Sequence, residues 1–313
     1  MPLLEVENLC LADSSTGKLL VKGVSFSVEK GDVLGIVGES GSGKSITALS
    51  ILKLYPPGIK CTSGKVYFKG MSIYDMPESE VLKLRGKQIS MILQDPLSAL
   101  NPVLTIGEQV EEVLEVHSSL SKKQRKKRVL ELLKEVGISD PELRARSYPH
   151  ELSGGLRQRA MIAMALAGEP ELLIADEPTT ALDPTLQIQV LELLKNISQK
   201  KGLSLIFISH DLGVISYIAK HIVVLYKGEV LETGKVEAVL KEPLHPYTKL
   251  LIDSSIGLNK QPKSCQENLI FEEPSEGCVF YPRCVKRCEK GRKEKPPLIK
   301  VDETRSVRCF LYE

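Results

Sequence analysis

The chain has 313 residues, of which 42% are hydrophobic and 26% charged, enough for one large core with an appendage or for two domains and too apolar for a disordered one. A net charge of +2 supplies no global field for nucleic acid. No apolar run approaches the ~20 residues that cross a bilayer, and Met1-Pro2-Leu3-Leu4-Glu5 lacks the pattern of a signal peptide, so an intracellular protein is expected, with a peripheral membrane role left open.

Residues 3–9, 24–28 and 65–69 read as short strands with turn punctuation between them. The apolar run Val33–Val37 ends in a glycine-rich turn, and a helix is expected to begin near Lys44. Residues 90–93 form another apolar strand closing on Gln94, which Asp95-Pro96 follows. From 105 to 136 the pattern is helical with charged faces. Its basic run, Lys122 to Arg128, reads as the solvated face of a helix rather than a nucleic-acid patch, since no aromatic residues interleave to stack bases. Helical patterning resumes after Ser153, and residues 172–175 and 205–208 read as buried parallel strands. The alternation implies an α/β core with a helical insertion at about 95–155. Past Pro243 prolines, lysines and cysteines rise, which sets a boundary near 240: a domain over 1–240 and a cysteine-rich region over 241–313.

Gly38-Glu39-Ser40-Gly41-Ser42-Gly43-Lys44-Ser45 fits the phosphate-loop pattern after a strand. Glycines let consecutive N–H groups turn inward toward phosphate oxygens, and the following helix adds its positive end. Lys44 would neutralise the β- and γ-phosphates and the Ser45 hydroxyl would ligate Mg²⁺. The loop residues Gly38, Ser40, Gly41, Ser42, Gly43 and Lys44, with Ser45 and Ile46 beyond them, are the candidate ATP contacts.

Two carboxylates, Asp176 and Glu177, emerge where the strand 172–175 ends, the edge at which open α/β sheets bind ligands. Asp176 is the natural Mg²⁺ partner and Glu177 is placed to polarise a water for attack on the γ-phosphorus. The Gln94 amide would reach the metal shell. His210, after a strand, would hydrogen-bond a γ-phosphate oxygen. Asp183 has the position of a helix N-cap or turn residue. Between the loop and the acidic strand lies Leu152-Ser153-Gly154-Gly155-Leu156-Arg157-Gln158-Arg159, whose serine and glycines have the makings of a second phosphate site with no evident use inside its own chain.

In this order, from residue 38 to residue 210, the segments resemble the ATP-binding subunits of ABC transporters. The loop resembles Walker A, Gln94 the Q-loop glutamine, 152–156 the signature, 172–177 Walker B with its catalytic glutamate, Ala181-Leu182-Asp183 the D-loop and His210 the switch histidine. The fold this implies is the ABC-type nucleotide-binding domain of the P-loop NTPases, with an antiparallel β subdomain and a helical insertion. The resemblance also implies head-to-tail pairing, in which Ser153, Gly154, Gly155 and Asp183 act on nucleotide held by the Walker A loop of the other subunit.

Gln94-Asp95-Pro96-Leu97-Ser98-Ala99-Leu100-Asn101-Pro102 and His245-Pro246-Tyr247-Thr248 are similar to the dipeptide, oligopeptide and nickel importer subgroup. Leu156 stands where many signatures have glutamine, a replacement that this subgroup often shows. Leu9-Cys10-Leu11-Ala12-Asp13 offers no aromatic where the family stacks adenine, which leaves tolerance of GTP open.

Cys10 and Cys61 read as isolated, small buried hydrophobes. Cys278, Cys284, Cys288 and Cys309 supply four thiolates, enough for a [4Fe–4S] cluster or a tetrahedral zinc site. Spacing alone leaves the two open, although the paired C-x2-C of many zinc sites is absent. The subgroup resemblance favours iron–sulfur. Cys265 reads as a spare loop cysteine. A structural or regulatory role is expected for this tail, with nothing placing it at the phosphate site.

The resemblance implies an importer ATPase on the cytoplasmic face of the membrane. It would work with a second ABC subunit (identical or different), two membrane permease subunits and, indirectly, an extracellular binding protein that selects di- or oligopeptides. Alternatives are a nickel importer ATPase and, from another class, a soluble ABC ATPase acting on nucleic acid or ribosomes. That class carries coiled-coil insertions or tandem cassettes, both absent here, so no nucleic-acid partner is expected.

Overall fold

The computed structural model describes residues 1–180, 182–255 and 276–313. The chain opens with two ten-residue strands, β1 (Leu4–Asp13) and β2 (Leu19–Val28), then β3 (Val33–Val37), helix α1 (Lys44–Ile51), β4 (Ile59–Phe68) and β5 (Met71–Ser72). Helix α2 (Glu78–Leu84) leads to β6 (Ile89–Ile92) and a helical stretch: α3 (Pro96–Ala99), α4 (Ile106–His117), α5 (Lys122–Glu135), α6 (Pro141–Ala145) and α7 (Gly154–Ala167). Strand β7 (Leu172–Asp176), α8 (Pro184–Lys201), β8 (Ser204–Ser209), α9 (Leu212–Ile218), β9 (His221–Tyr226) and β10 (Glu229–Lys235) follow. Helices α10 (Val236–Lys241), α11 (Pro246–Ser255) and α12 (Glu289–Lys293), the short strands β11 (Ile299–Lys300) and β12 (Ser306–Val307), and three single 3-10 turns at Pro149–Glu151, Tyr281–Arg283 and Phe310–Tyr312 complete the described elements.

These elements fall into two compact units. The first comprises Met1–Val28, Val33–Tyr74 and Phe207–Glu313; the second comprises Glu29–Asp32 and Asp75–Ile206.

In the first unit β2, β1, β4 and β5 form an antiparallel sheet in that order. Leu4, Val6, Leu9 and Leu11 of β1 are all buried, the one-sided burial that an antiparallel sheet allows. Cys10 and Cys61 are half-buried on neighbouring strands: Cys10 faces Ser63, and Cys61 faces Leu11. They are therefore less buried than expected and not remote from each other.

A second sheet of this unit runs β11-β12-β10-β9-β3. Its β3 pairs parallel with β9, and all five β3 residues are buried, consistent with cover on both faces. Gly35 carries no side chain because α9 lies against it: a Cβ there would sit 2.5 Å from Ile215 Cγ2. The C-terminal strands extend this sheet beyond the β9–β10 hairpin. Glu229, 3% exposed, ion-pairs with Lys295 at 3.1 Å and Arg308 at 3.8 Å, while Arg308 also donates to Val230 O at 2.9 Å. Burial of these charges is tolerated because they are paired.

In the second unit β6 and β7 pair in parallel, and helices α3 to α7 lie between them in sequence. The helical pattern expected over 105–136 is broken once. Ser118 ends α4, and Ser121 opens α5 with a capping box to Gln124, so two serines divide what periodicity alone joins. The basic run occupies the start of α5, where Arg125 pairs with Glu111 and Glu115 and Arg128 with Glu131 and Glu169. It is a paired, solvated helix face, as expected. Among the described residues no helix is long and apolar enough to cross a membrane.

Candidate nucleotide site

The first unit holds the loop 38–45 between β3 and α1. Gly38 is confined: a Cβ would meet Leu225 O at 2.1 Å and Ser42 Oγ at 2.7 Å. Gly41 (φ +76°) and Gly43 (φ +100°) occupy left-handed backbone that favours glycine. Lys44 is only 4% exposed and donates from Nζ to Gly38 O at 2.8 Å and Glu39 O at 3.0 Å. The loop thus wraps an ammonium group. Ser42 Oγ is buried with no hydrogen-bond partner among the described residues, an orphaned donor whose desolvation only a ligand or water would offset. Ser40 and Gly41 are exposed, while Ser45 and Ile46 are half-buried. A cradle that excludes a Cβ, an enclosed ammonium and a spare hydroxyl suit a polyphosphate. His210 also belongs to this unit, exposed at the end of β8.

The second unit carries the remaining candidates. Asp176, 5% exposed, ends β7. Glu177 follows in left-handed backbone, φ +45°, unusual for a residue with a Cβ and characteristic of functional turns. Its Oε2 accepts from Gln94 Nε2 at 3.3 Å and from Thr180 Oγ1 at 3.0 Å. Gln94 lies two residues beyond the end of β6, exposed. Two neutral donors therefore meet one carboxylate oxygen, and no sequence motif marks Thr180 as one of them.

Ser153 caps α7, its Oγ accepting from Leu156 N at 3.4 Å. Gly154 is exposed, and a Cβ there would meet nothing within 4 Å; at Gly155 a Cβ would lie 3.1 Å from Leu186 Cδ1. Leu186 N in turn donates to Asp183 Oδ1 at 3.0 Å, as does Thr185 N, making Asp183 the N-cap of α8. The signature glycines and Asp183 thus meet through Leu186. Ala181 of the expected D-loop lies outside the described residues.

The tail departs from expectation by reaching the phosphate loop. Tyr247 of α11, fully buried, accepts from Glu39 N at 2.9 Å, and Arg283 Nη1 pairs with the Glu39 carboxylate at 2.9 Å. The Arg283 guanidinium also lies over the Tyr226 and Phe280 rings, 5.7 and 5.8 Å from their centroids. Phe280 packs edge-on against Tyr226 and His245 and tilted against Tyr247. His245 Nδ1 accepts from Tyr247 N at 3.0 Å, and the buried Glu232 carboxylate accepts from Leu244 N and His245 N, both at 2.9 Å. The His-Pro-Tyr motif was legible as a mark of kinship; its contact with the loop was not.

Cys278, Cys284 and Cys309 are half-buried and Cys288 is exposed, all as free thiols. Burial pushes the Cys278 thiol up to about 11, with the charges of Cys284 and Cys309 adding to the rise. Burial likewise raises Cys284, which also feels Cys309 and Cys288, and raises Cys309, which feels Cys288. The four therefore share one neighbourhood. Among the described residues no group of three or more His, Cys, Asp or Glu side chains is placed to hold a single metal ion. Cys265 lies outside the described residues.

The strand–loop–helix with its enclosed lysine, the strand-end acids and the helical stretch between β6 and β7 define a P-loop nucleotidase of the ATP-binding-cassette class. Residues 21–180 match the ABC transporter family, and residues 231–290 match the C-terminal region of oligopeptide/dipeptide transporters. The chain is 44% identical over 321 aligned positions to the oligopeptide transport ATP-binding protein OppD of Bacillus subtilis (strain 168), spanning 99% of this chain and 88% of that relative. It is 43% identical over 319 positions to the dipeptide transport ATP-binding protein DppD of the same organism, spanning 99% and 95%. Among solved structures, the dimeric ATP-binding cassette MJ0796, in a post-hydrolysis state bound to ADP and Pi, is similar with a TM-score of 0.66 and 32% identity over 74% of this chain and 98% of that one. The chain belongs to the ABC transporter family and is an ABC-type ATPase carrying the C-terminal region of the oligopeptide/dipeptide branch.

Proposed function

We propose that this chain energises uptake of di- or oligopeptides from the cytoplasmic face of the membrane, binding and hydrolysing MgATP for separate permease subunits. The observation that carries the ATPase half is the loop around Lys44 with its orphaned Ser42 hydroxyl; the cargo half rests on the C-terminal match and on the names of the relatives. Residues 38–46 hold the phosphates, with Lys44 exchanging loop carbonyls for phosphate oxygens. Bound Mg²⁺ would neutralise charge developing on the leaving phosphate, held by Ser45, Asp176 and Gln94.

Glu177 is the general base. It takes a proton from water as the water oxygen bonds to the γ-phosphorus and the bond to the bridging oxygen breaks, releasing ADP and phosphate. His210 steadies the γ-phosphate. Ser153, Gly154, Gly155 and Asp183 serve nucleotide on a second cassette subunit: the exposed Gly154 backbone at a capped helix start suits a phosphate from outside the chain.

For residues 241–313 we read a cysteine-bound centre. Cys278, Cys284, Cys288 and Cys309 are enough for a [4Fe–4S] group or for zinc, and the resemblance to the peptide-importer subgroup favours the former. The test is reconstitution with permease and binding-protein partners, measuring ATPase stimulation by peptides, nickel and sugars. Stimulation by peptides alone is expected. Stimulation by nickel alone would overturn the cargo, and copurification with nucleic acid instead of membrane subunits would overturn the transporter role.

A further inference from the structure

We infer that Tyr247 and Arg283 are positioning residues for the phosphate loop, so that the C-terminal region sets how tightly this chain holds ATP. The inference rests on the reading that residues 38–46 bind ATP.

Glu39 is the residue through which the two are joined. Its carbonyl accepts from Lys44 Nζ at 3.0 Å, its N–H donates to the Tyr247 hydroxyl at 2.9 Å and its carboxylate pairs with Arg283 at 2.9 Å. One loop residue thus ties the phosphate-binding ammonium to groups that lie 208 and 244 positions away in sequence. A loop that must present N–H groups to phosphate binds best when its shape is fixed beforehand, since ordering it on binding costs affinity.

Both contacts are themselves held in place. Tyr247 is fully buried; its backbone N–H donates to His245 Nδ1, and the His245 backbone N–H donates to the Glu232 carboxylate. Arg283 lies over Tyr226 and Phe280, and its pairing with Glu39 is the first cause of its raised proton affinity. Gly228 N closes the far side of the loop on Ser42 O at 2.9 Å, so Glu39 is the side that the C-terminal region secures.

The test is ATP affinity of the full chain by calorimetry, in a Glu177→Gln background that stops turnover. Arg283→Ala and Tyr247→Phe are each expected to weaken binding about three- to five-fold, the range for one half-exposed ion pair or one hydrogen bond. Arg283→Lys is expected to recover part of the loss, and Glu39→Gln combined with Arg283→Ala to bind no worse than Arg283→Ala. With Glu177 restored, KM for ATP rises while kcat holds. Unchanged or tighter affinity overturns the inference, as does a loss matched by an equal fall in the stability of the nucleotide-free chain. Failure of the unaltered loop to bind ATP would instead sink the underlying reading.

Discussion

Gln94 donates its side-chain amide to the Glu177 carboxylate at 3.3 Å, across 83 residues of sequence. Glu177 itself sits in left-handed backbone, φ +45°, so the proposed base is held by an unusual main-chain turn and by a side-chain hydrogen bond together. Glu177→Gln is expected to lower kcat by about 10²- to 10⁴-fold, the usual range for a lost general base, and to trap an ATP-bound dimer. Gln94→Ala removes one donor to that carboxylate and should cost about five- to ten-fold in kcat, one hydrogen bond's worth. Single-turnover phosphate release measures both; normal turnover in Glu177→Gln refutes the base.

The two signature glycines separate by test. Gly154 faces open space, so Gly154→Ala should leave folding intact while lowering the ATPase activity of the assembled dimer. Gly155 packs on Leu186, and the two further methyl groups of Gly155→Val should cost about 1–3 kcal/mol through overpacking. Urea unfolding beside ATPase assays tells them apart: a stable, active Gly155→Val would show that the contact with Leu186 gives way freely.

Much of this site was readable from the chain. The strand 33–37, the glycine loop and the acids at 176 and 177 are local patterns, each set by a few adjacent residues. Asp183 as a cap was likewise visible, because capping is a local choice. What sequence did not show is the wiring of Glu39 to Arg283 and Tyr247, separated from it by 244 and 208 positions: no periodicity links such partners, and the interaction exists only once the β9–β10 hairpin and the tail have packed. The single helical pattern over 105–136 misled for the opposite reason, since apolar spacing continued across a serine break that only capping chemistry marks. Of the strand β4 (Ile59–Phe68), only the part from residue 65 onward shows in the sequence, because register shifts against β1 interrupt its alternation before residue 65.

Acid should loosen the His245 anchor. Burial lowers its pKa from 6.5 to about 3, so between these values the unfolded chain binds a proton that the folded chain refuses. Its contribution to stability is complete above pH 6.5 and declines as pH falls, by about 1.4 kcal/mol per unit at most. Glu232, raised by burial, acts with the opposite sign, so the informative quantity is the difference from His245→Asn, which keeps an acceptor for Tyr247 N without titrating. Urea midpoints at pH 7, 6 and 5 should converge between the two proteins toward acid. Parallel pH profiles would refute the assignment.

The thiol neighbourhood makes the sharpest chemical prediction. Burial raises the Cys278 thiol to about 11; the cysteine-bound centre proposed above would take the four thiols as thiolates, because a coordinated thiol gives up its proton. On that proposal, anaerobically purified chain should hold ~4 iron and ~4 sulfide with visible absorption. Cys284→Ser should lose both and, because Arg283 precedes it in sequence, should also weaken ATP binding about as much as Arg283→Ala. Stoichiometric zinc without iron would overturn the cluster. Loss of iron with unchanged ATP affinity would show that the Arg283 contact stands without the centre.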